Sequence, residues 1–466
     1  MRVVIVGGGE AGYHVAKSLS KKNDVVVIEK RLDACERLGV LDVQVMHRNG
    51  ADIRVLQDAG VGKVDLVVAV TGVDEINILA CMAAKLISKG VKTIARVSNP
   101  DYINKPVDHR EALGMDALIC PELSLAREIT QVISIPSALD VGDFADGKVK
   151  MMEFVVKEDH EIAGKKLRDA DLPDNCIMTG IFRGRKLLIP HGDDVVQLGD
   201  RVVLVGRSEM IDVLQASLGL GWQDKKQKIL IVGGGDVGFY LLEELGKASY
   251  DITIMDLNKD RCGELAECFP DVLVINGDGT DLQLLEEEDL LEKDVVVSVT
   301  DRDETNLLSS LLAKELGVAK VISRTEHTEY APLFEIVGVD VAINPILATV
   351  NEVMKFTMQV GISSIINLEG EKANLIEITA KRGSKVIDKP LEDIRFPKDA
   401  IVCVIVKGGE VIVPSGKDAI GVGDKVVIFS LPGGFRCNRR TSDDAWGTDA
   451  APDWSCYFTM GSMGRS

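Results

Sequence analysis

The chain has 466 residues, 46% of them hydrophobic and only 4% aromatic, and carries a formal net charge of −19. That length exceeds one ordinary domain, and so acidic a chain shows no basic surface with which to neutralise nucleic-acid phosphates. Its nine cysteines form no CxxC pair and read as free thiols in a reducing cytoplasm. No apolar run reaches the ~18 residues of a membrane span, and the first residues enter a strand with no room for a signal peptide. The expectation is a cytoplasmic protein that does not itself insert into a membrane.

In chain order, VVIVG reads as a strand, AGYHVAKSLSKK as a helix, DVVVIEK as a strand and LVVAVTG as another. Such alternation predicts a doubly wound parallel sheet. The following stretch shows short strands (MMEFVV, IMTGIF, KLLIP, DRVVLVG) broken by Gly, Pro and Asp, and reads as a small α+β domain of mostly antiparallel strands. Both patterns then return. DLVVAVTGVDEINILACMAAK (65–85) answers DVVVSVTDRDETNLLSSLLAK (294–314), and TIARVSNPDY (93–102) answers VISRTEHTEY (321–330). Past these, LPDNCIMTGIFRGRKLLIPHGDDVVQLGDRVVLV (172–205) aligns without a gap with FPKDAIVCVIVKGGEVIVPSGKDAIGVGDKVVIF (396–429).

A repeat of this kind organises the whole fold. The chain reads as A–B–A′–B′, with a polar joint near GWQDKKQK (221–228). The expected domains are two Rossmann-like units at 1–135 and 227–350 and two small α+β units at 140–221 and 362–431. Residues 432–466 lack periodicity and any counterpart, and read as a disordered or non-native tail.

The chemistry lies in the glycine turns VVIVGGGEAG (3–12) and ILIVGGGDVG (229–238). Each follows an apolar strand, precedes an amphipathic helix, and is followed by an acid at the end of the next strand. That acid is Glu29, twenty positions after Gly9, or Asp256, twenty-one after Gly235. This combination is the dinucleotide fingerprint. Gly7 and Gly233 permit the turn, Gly9 and Gly235 let backbone approach a pyrophosphate, and Gly12 and Gly238 let the helix pack on the sheet. The helix amino ends then offer free N–H groups to the anion. Glu29 and Asp256 suit a ribose diol and repel a 2′-phosphate, which favours NAD(H) over NADP(H). Thr71 and Thr300, at strand ends, suit the adenosine and phosphate path, and Arg96 and Arg324 suit a phosphate fork or an ion pair. Glu10 and Asp236, inside the turns, count against a triphosphate.

A hydride-transfer dehydrogenase, or a fused pair, is the alternative, and it needs an acid–base residue beside the nicotinamide. The histidines (His14, His47, His109, His160, His191, His327) do not recur at matching positions, and no metal-spaced cluster or nucleophile elbow appears.

Taken together, GGGEAG with Glu29, VTGVDEIN, IARVSNPDY and the GD…VVLV ending resemble the RCK (KTN) regulatory units of potassium transport over residues 1 to about 431. The resemblance implies Rossmann-like modules that bind NAD(H), ATP or ADP, each followed by a small α+β module. It also implies a ring, a homotetramer, beneath a TrkH- or TrkG-like membrane subunit, so that the chain is peripheral to the membrane. By position, the family's nucleotide contacts fall on Gly7, Gly8, Gly9, Glu10, Ala11, Glu29, Ala51, Thr71, Gly72 and Arg96. In the second copy they fall on Gly233, Gly234, Gly235, Asp236, Val237, Asp256, Thr280, Thr300, Asp301 and Arg324. Ala51 replaces the hydroxyl that Thr280 supplies, so the two sites are expected to differ in tuning.

Overall fold

The computed structural model describes every residue except 104–113, 135–137, 159, 171, 174, 185, 218–225, 247–249, 288–291, 358–361, 369–372, 395, 397–398 and 432–466. His109, most of the polar joint and the C-terminal tail lie outside the described residues.

The first glycine turn opens a six-stranded parallel sheet, made of β1 (Arg2–Val6), β2 (Asp24–Glu29), β3 (Gln44–His47), β4 (Leu66–Ala69), β5 (Lys92–Arg96) and β6 (Ala117–Ile119). Its strand order is β3-β2-β1-β4-β5-β6, so the chain reverses direction across the sheet between β1 and β4. The run-like apolar composition follows from burial on both faces. Val3, Val4, Ile5 and Val6 are all essentially inaccessible, as are Leu66 to Ala69. Helix Glu10–Ser20 covers one face with Ala11, Gly12, Val15, Ala16 and Leu19.

The small units come next in the chain. The first has a five-stranded antiparallel sheet of β7 (Ala138–Phe144), β8 (Val149–Val155), β9 (Cys176–Arg183), β10 (Lys186–Leu188) and β11 (Arg201–Arg207), with the helix Ser208–Ser217. The alternating pattern located β8 to β11 but passed over β7. ALDVGDF carries Asp140, Gly142 and Asp143 inside the strand, and it sits at the sheet edge, where one side has no strand partner to satisfy.

The second half repeats the scheme. Strands β12 (Lys228–Val232), β13 (Asp251–Asp256), β14 (Leu273–Asn276), β15 (Val295–Ser298), β16 (Lys320–Arg324) and β17 (Val341–Ile343) form a parallel sheet in the order β14-β13-β12-β15-β16-β17. Strands β18 (Ile362–Leu368), β19 (Ala373–Thr379), β20 (Ala400–Lys407), β21 (Glu410–Ile412) and β22 (Lys425–Ser430) form the second antiparallel sheet. The class is α/β with Rossmann-like parallel sheets and small antiparallel domains, as the sequence pattern led one to expect.

The grouping in space differs from the order in sequence. Among the described residues, one compact unit joins 1–130 to 226–357 and the other joins 131–217 to 362–431. In the first, helix Pro345–Thr357 of the second Rossmann module inserts Ile346, Val350 and Val353 into the core of the first, beside Val15, Ala16 and Leu19. In the second, the two small sheets share one core containing Phe144, Met151, Phe182 and Val203 from one repeat and Leu375, Cys403, Val427 and Phe429 from the other. A side chain at Gly180 would meet the Phe429 ring at 2.9 Å, so the bare glycine is what admits that ring between the sheets. Glu377 accepts from the Ala145 amide across this core at 2.6 Å.

One residue sits uneasily in the second Rossmann module. Lys320, at the start of β16, is only 3% exposed, and burial pushes its ammonium down to about 7, opposed by the nearby Asp340. A folded-state value below the unfolded one means that folding disfavours the charged form. The cost is complete below pH 7 and disappears as pH rises towards the ordinary lysine value of ~10.4. Lys320→Met, which leaves Asp340 its Lys314 partner at 2.7 Å, is expected to raise the denaturation midpoint most at pH 6. That advantage should shrink steadily by pH 10 in urea titrations.

Candidate functional site

The first glycine turn is built from backbone. Gly7 adopts φ +104°, a region that side-chain-bearing residues avoid, and its amide donates to the Ile28 carbonyl at 2.9 Å. A Cβ on Gly12 would overlap the carbonyl oxygen of Gly7, so only glycine lets the helix close on the turn. A Cβ on Gly9 would meet nothing within 4 Å, so the turn is open on that side. Gly9 caps helix Glu10–Ser20 without any side-chain hydrogen bond. The helix amino end is therefore left to its own backbone, the arrangement that suits an anion.

The second turn repeats this almost atom for atom. Gly233 has φ +111°, its amide reaches Met255 at 2.9 Å, a Cβ on Gly238 would overlap the Gly233 carbonyl, and Gly235 is open. Ala11 and Val237, the residues after the two acids, are buried.

Glu29, 7% exposed, is held by the turn itself: Oε2 accepts from the Gly8 amide at 2.6 Å and Oε1 from the Arg31 amide at 2.7 Å. Asp256 accepts likewise from the Gly234 amide at 2.6 Å and from the Asn258 amide at 2.8 Å. A carboxylate has about four lone-pair sites, so each acid can fix its turn and still accept from a ribose diol. A cleft of about 170 Å³ lies against Glu29 and is walled by Gly7, Gly9, Thr71, Gly72, Lys30, Arg31, Arg48, Asn49 and Gly50. The three basic residues of that wall escaped the sequence reading. They follow the ends of β2 and β3, a position that the fingerprint alone does not flag.

The structure brings most of the remaining candidates to the same strand ends. Thr71 and Gly72 follow β4, and Arg96 closes β5. Arg96 pairs with Glu122 at 2.7 Å and Arg324 pairs with Glu326, yet each guanidinium keeps its Nε buried without a partner among the described residues. Asp301 is exposed beside Thr300. Ala51 donates its amide to Asn49, whereas the Thr280 hydroxyl turns to Asp278 at 2.7 Å. Glu10 turns outward to an ion pair with Arg37. Asp236 faces the other Rossmann module, in a polar cleft with Asp74, Arg96, Ser98 and Glu122. Burial, and then Glu122, raise its carboxyl above the usual range. Close by, the Tyr240 hydroxyl donates to the Ser98 carbonyl at 3.0 Å, a direct link between the modules.

Two residues that the sequence reading did not single out hold these strand ends. Asn77 and Asn306 are wholly buried, one in each module, on the first turn of helices Asp74–Ile87 and Asp303–Glu315. The signal was present in the repeat, since DEIN and DETN keep the asparagine while its neighbour changes. Among the described residues, no group of three or more His, Cys, Asp or Glu is arranged to hold a metal ion, and no helix is long and apolar enough to cross a membrane.

This fold and this pair of turns define a tandem Rossmann protein, and comparison with known proteins gives its family. The TrkA-N domain model matches residues 3–121 and 229–345, and the TrkA-C domain model matches 151–219 and 375–436. Trk system potassium uptake protein TrkA homolog 1 of Methanosarcina mazei is 49% identical, over 92% of this chain and 97% of its own. The TrkA homolog of Archaeoglobus fulgidus is 40% identical over 92% and 97%, and TrkA of Halomonas elongata 30% over 92% and 96%. Among solved structures, the GsuK RCK domain superposes with a TM-score of 0.61 at 17% identity, covering 92% of each chain. The GsuK channel bound to NAD gives 0.61 at 16%, covering 92% of this chain and 77% of that one. At such identities these two establish the fold. The chain belongs to the TrkA family of Trk-type potassium uptake proteins, and the dehydrogenase alternative is set aside.

Proposed function

We propose that the chain is the peripheral regulatory subunit of a Trk-type potassium transport system, working on the cytoplasmic face as a homotetrameric ring under a TrkH- or TrkG-like membrane subunit. Its ligand is NAD(H), with ATP or ADP as alternatives. The adenosine ribose rests on Glu29 or Asp256, the pyrophosphate on the amides of Gly9 to Ala11 or Gly235 to Val237, since the Gly8 and Gly234 amides already serve the two acids, and the distal half runs past Gly72 or Asp301 towards Arg96 or Arg324.

The observation that carries this reading is the duplication of the open, side-chain-free helix cap, each copy with a carboxylate tied to its own turn. The NAD-bound GsuK structure shares the fold and supports the ligand class. Gating follows if the ligand binds two arrangements of the modules with different affinity; equal affinity would shift nothing. Calorimetric titration of the full chain with NADH, NAD⁺, ADP and ATP tests the first step. Saturable binding of at least one, at two sites per chain, is the expected result, and absence of binding by all four would overturn the reading.

A further inference from the structure

Each Asn amide is saturated in a way that fixes every proton around it. Asn77 Oδ1 accepts from the Thr71 amide at 2.8 Å and lies 2.7 Å from Thr71 Oγ1. Asn77 Nδ2 donates to the Thr71 carbonyl at 3.0 Å and to the Arg96 carbonyl at 2.9 Å. Asn306 makes the same four bonds to Thr300 and Arg324, at 2.8, 2.7, 2.9 and 3.1 Å. A backbone N–H can only donate and a carbonyl can only accept, so the amide cannot be flipped. Oδ1 carries no hydrogen. The short contact to Oγ1 is therefore made by the threonine hydroxyl, which gives its proton to asparagine at 2.7 Å ahead of the carbonyl of Val73 at 3.2 Å or of Arg302 at 3.3 Å, and both acceptors belong to the protein.

A phosphate oxygen can only accept. A threonine whose proton is committed to a buried asparagine has none to offer it. The surroundings agree, for the nearest side-chain atom to a Cβ built on Gly7 is the Thr71 methyl, at 2.9 Å, so it is the methyl that faces the phosphate turn. The Asn amide meanwhile ties the end of β4 to the end of β5, setting the distance between the Gly72 wall and the Arg96 guanidinium.

We propose that Asn77 and Asn306 are the positioning residues of the two nucleotide sites, and that Thr71 and Thr300 serve them as donors instead of donating to a ligand phosphate. This rests on the nucleotide-binding reading above and makes it more specific. Phosphate recognition falls to the backbone amides of the turns and to Arg96 and Arg324. The threonine oxygen also accepts from the amide of Val73 at 3.3 Å or of Arg302 at 3.2 Å, and the one lone pair it has left suits a ribose hydroxyl.

The test is calorimetry on the full-length chain with NAD⁺ and ADP, with the melting temperature of each variant recorded without nucleotide. Asn77→Asp keeps size and the accepting oxygen but turns a second oxygen onto two carbonyls. At pH 8 it should weaken one of the two sites by at least about tenfold. At pH 5 the protonated acid regains a donor, so NAD⁺ affinity should recover, a pH dependence that a purely structural role would not produce. Asn306→Asp should do the same at the other site. Thr71→Val, which preserves volume, should weaken NAD⁺ and ADP alike, by about threefold or less. A folded Asn77→Asp chain with two unaltered sites at pH 8 would overturn the proposal. So would a Thr71→Val chain that loses ADP more than tenfold while NAD⁺ binding stays near the original. A parent chain that binds neither nucleotide would instead overturn the reading beneath it.

Discussion

Gly12→Val should silence the first nucleotide site, and Gly238→Val the second, each leaving the other site working. The reason is steric and local. A Cβ at either position overlaps the carbonyl oxygen of Gly7 or Gly233, so the helix must slide out and take its amino end away from the anion. Several backbone N–H contacts and the alignment of the helix dipole are lost together. Affinity at the affected site should fall by roughly 100-fold, about 2.7 kcal/mol. Calorimetry should show the stoichiometry drop from two nucleotides per chain to one. Because helix Glu10–Ser20 also packs against Ile346, Val350 and Val353 of the second module, some loss of thermal stability is expected in Gly12→Val. The retained second site distinguishes a closed site from an unfolded chain.

Glu29→Ala should have the next largest effect, and should change preference as well as strength. The carboxylate accepts from the amides of Gly8 and Arg31, and its removal leaves a buried Gly8 N–H without that partner, a loss of about 1–3 kcal/mol. It also removes the acceptor for the ribose diol. Together these predict NAD⁺ binding weaker by roughly 10- to 100-fold at that site. The same change removes the negative charge that repels a 2′-phosphate, in a cleft already lined by Lys30, Arg31 and Arg48. The ratio of NADP⁺ to NAD⁺ affinity should therefore rise. The parallel Asp256→Ala variant should lose affinity without as large a swing, because the residues after Asp256 are Leu257 and Asn258. Competition titrations with the two cofactors measure both effects.

Much of this was legible in the sequence because it is local. Gly7, Gly9 and Gly12 announce a turn whose geometry only glycine allows, and Glu29 and Asp256 fall at strand ends fixed by short apolar runs. The doubly wound parallel sheet follows from alternation of strand and helix. What the sequence did not reveal depends on long-range packing. Nothing in residues 345–357 says that Ile346, Val350 and Val353 enter the core of the other module, or that Gly180 makes room for Phe429. Asn77 was overlooked because an asparagine on an amphipathic helix reads as solvated. Only the structure shows it wholly buried between two strand ends. β7 was overlooked because Asp140, Gly142 and Asp143 disguise an edge strand.

The central claim is that nucleotide occupancy of these two turns regulates potassium movement. The direct measurement is potassium flux through the membrane subunit, reconstituted with the full chain and titrated with NADH, NAD⁺, ADP and ATP. Flux should change with at least one nucleotide at the concentration that saturates binding, and the response should vanish when Gly12→Val and Gly238→Val are combined. Flux indifferent to all four nucleotides, or a response that survives in the double variant, would contradict it.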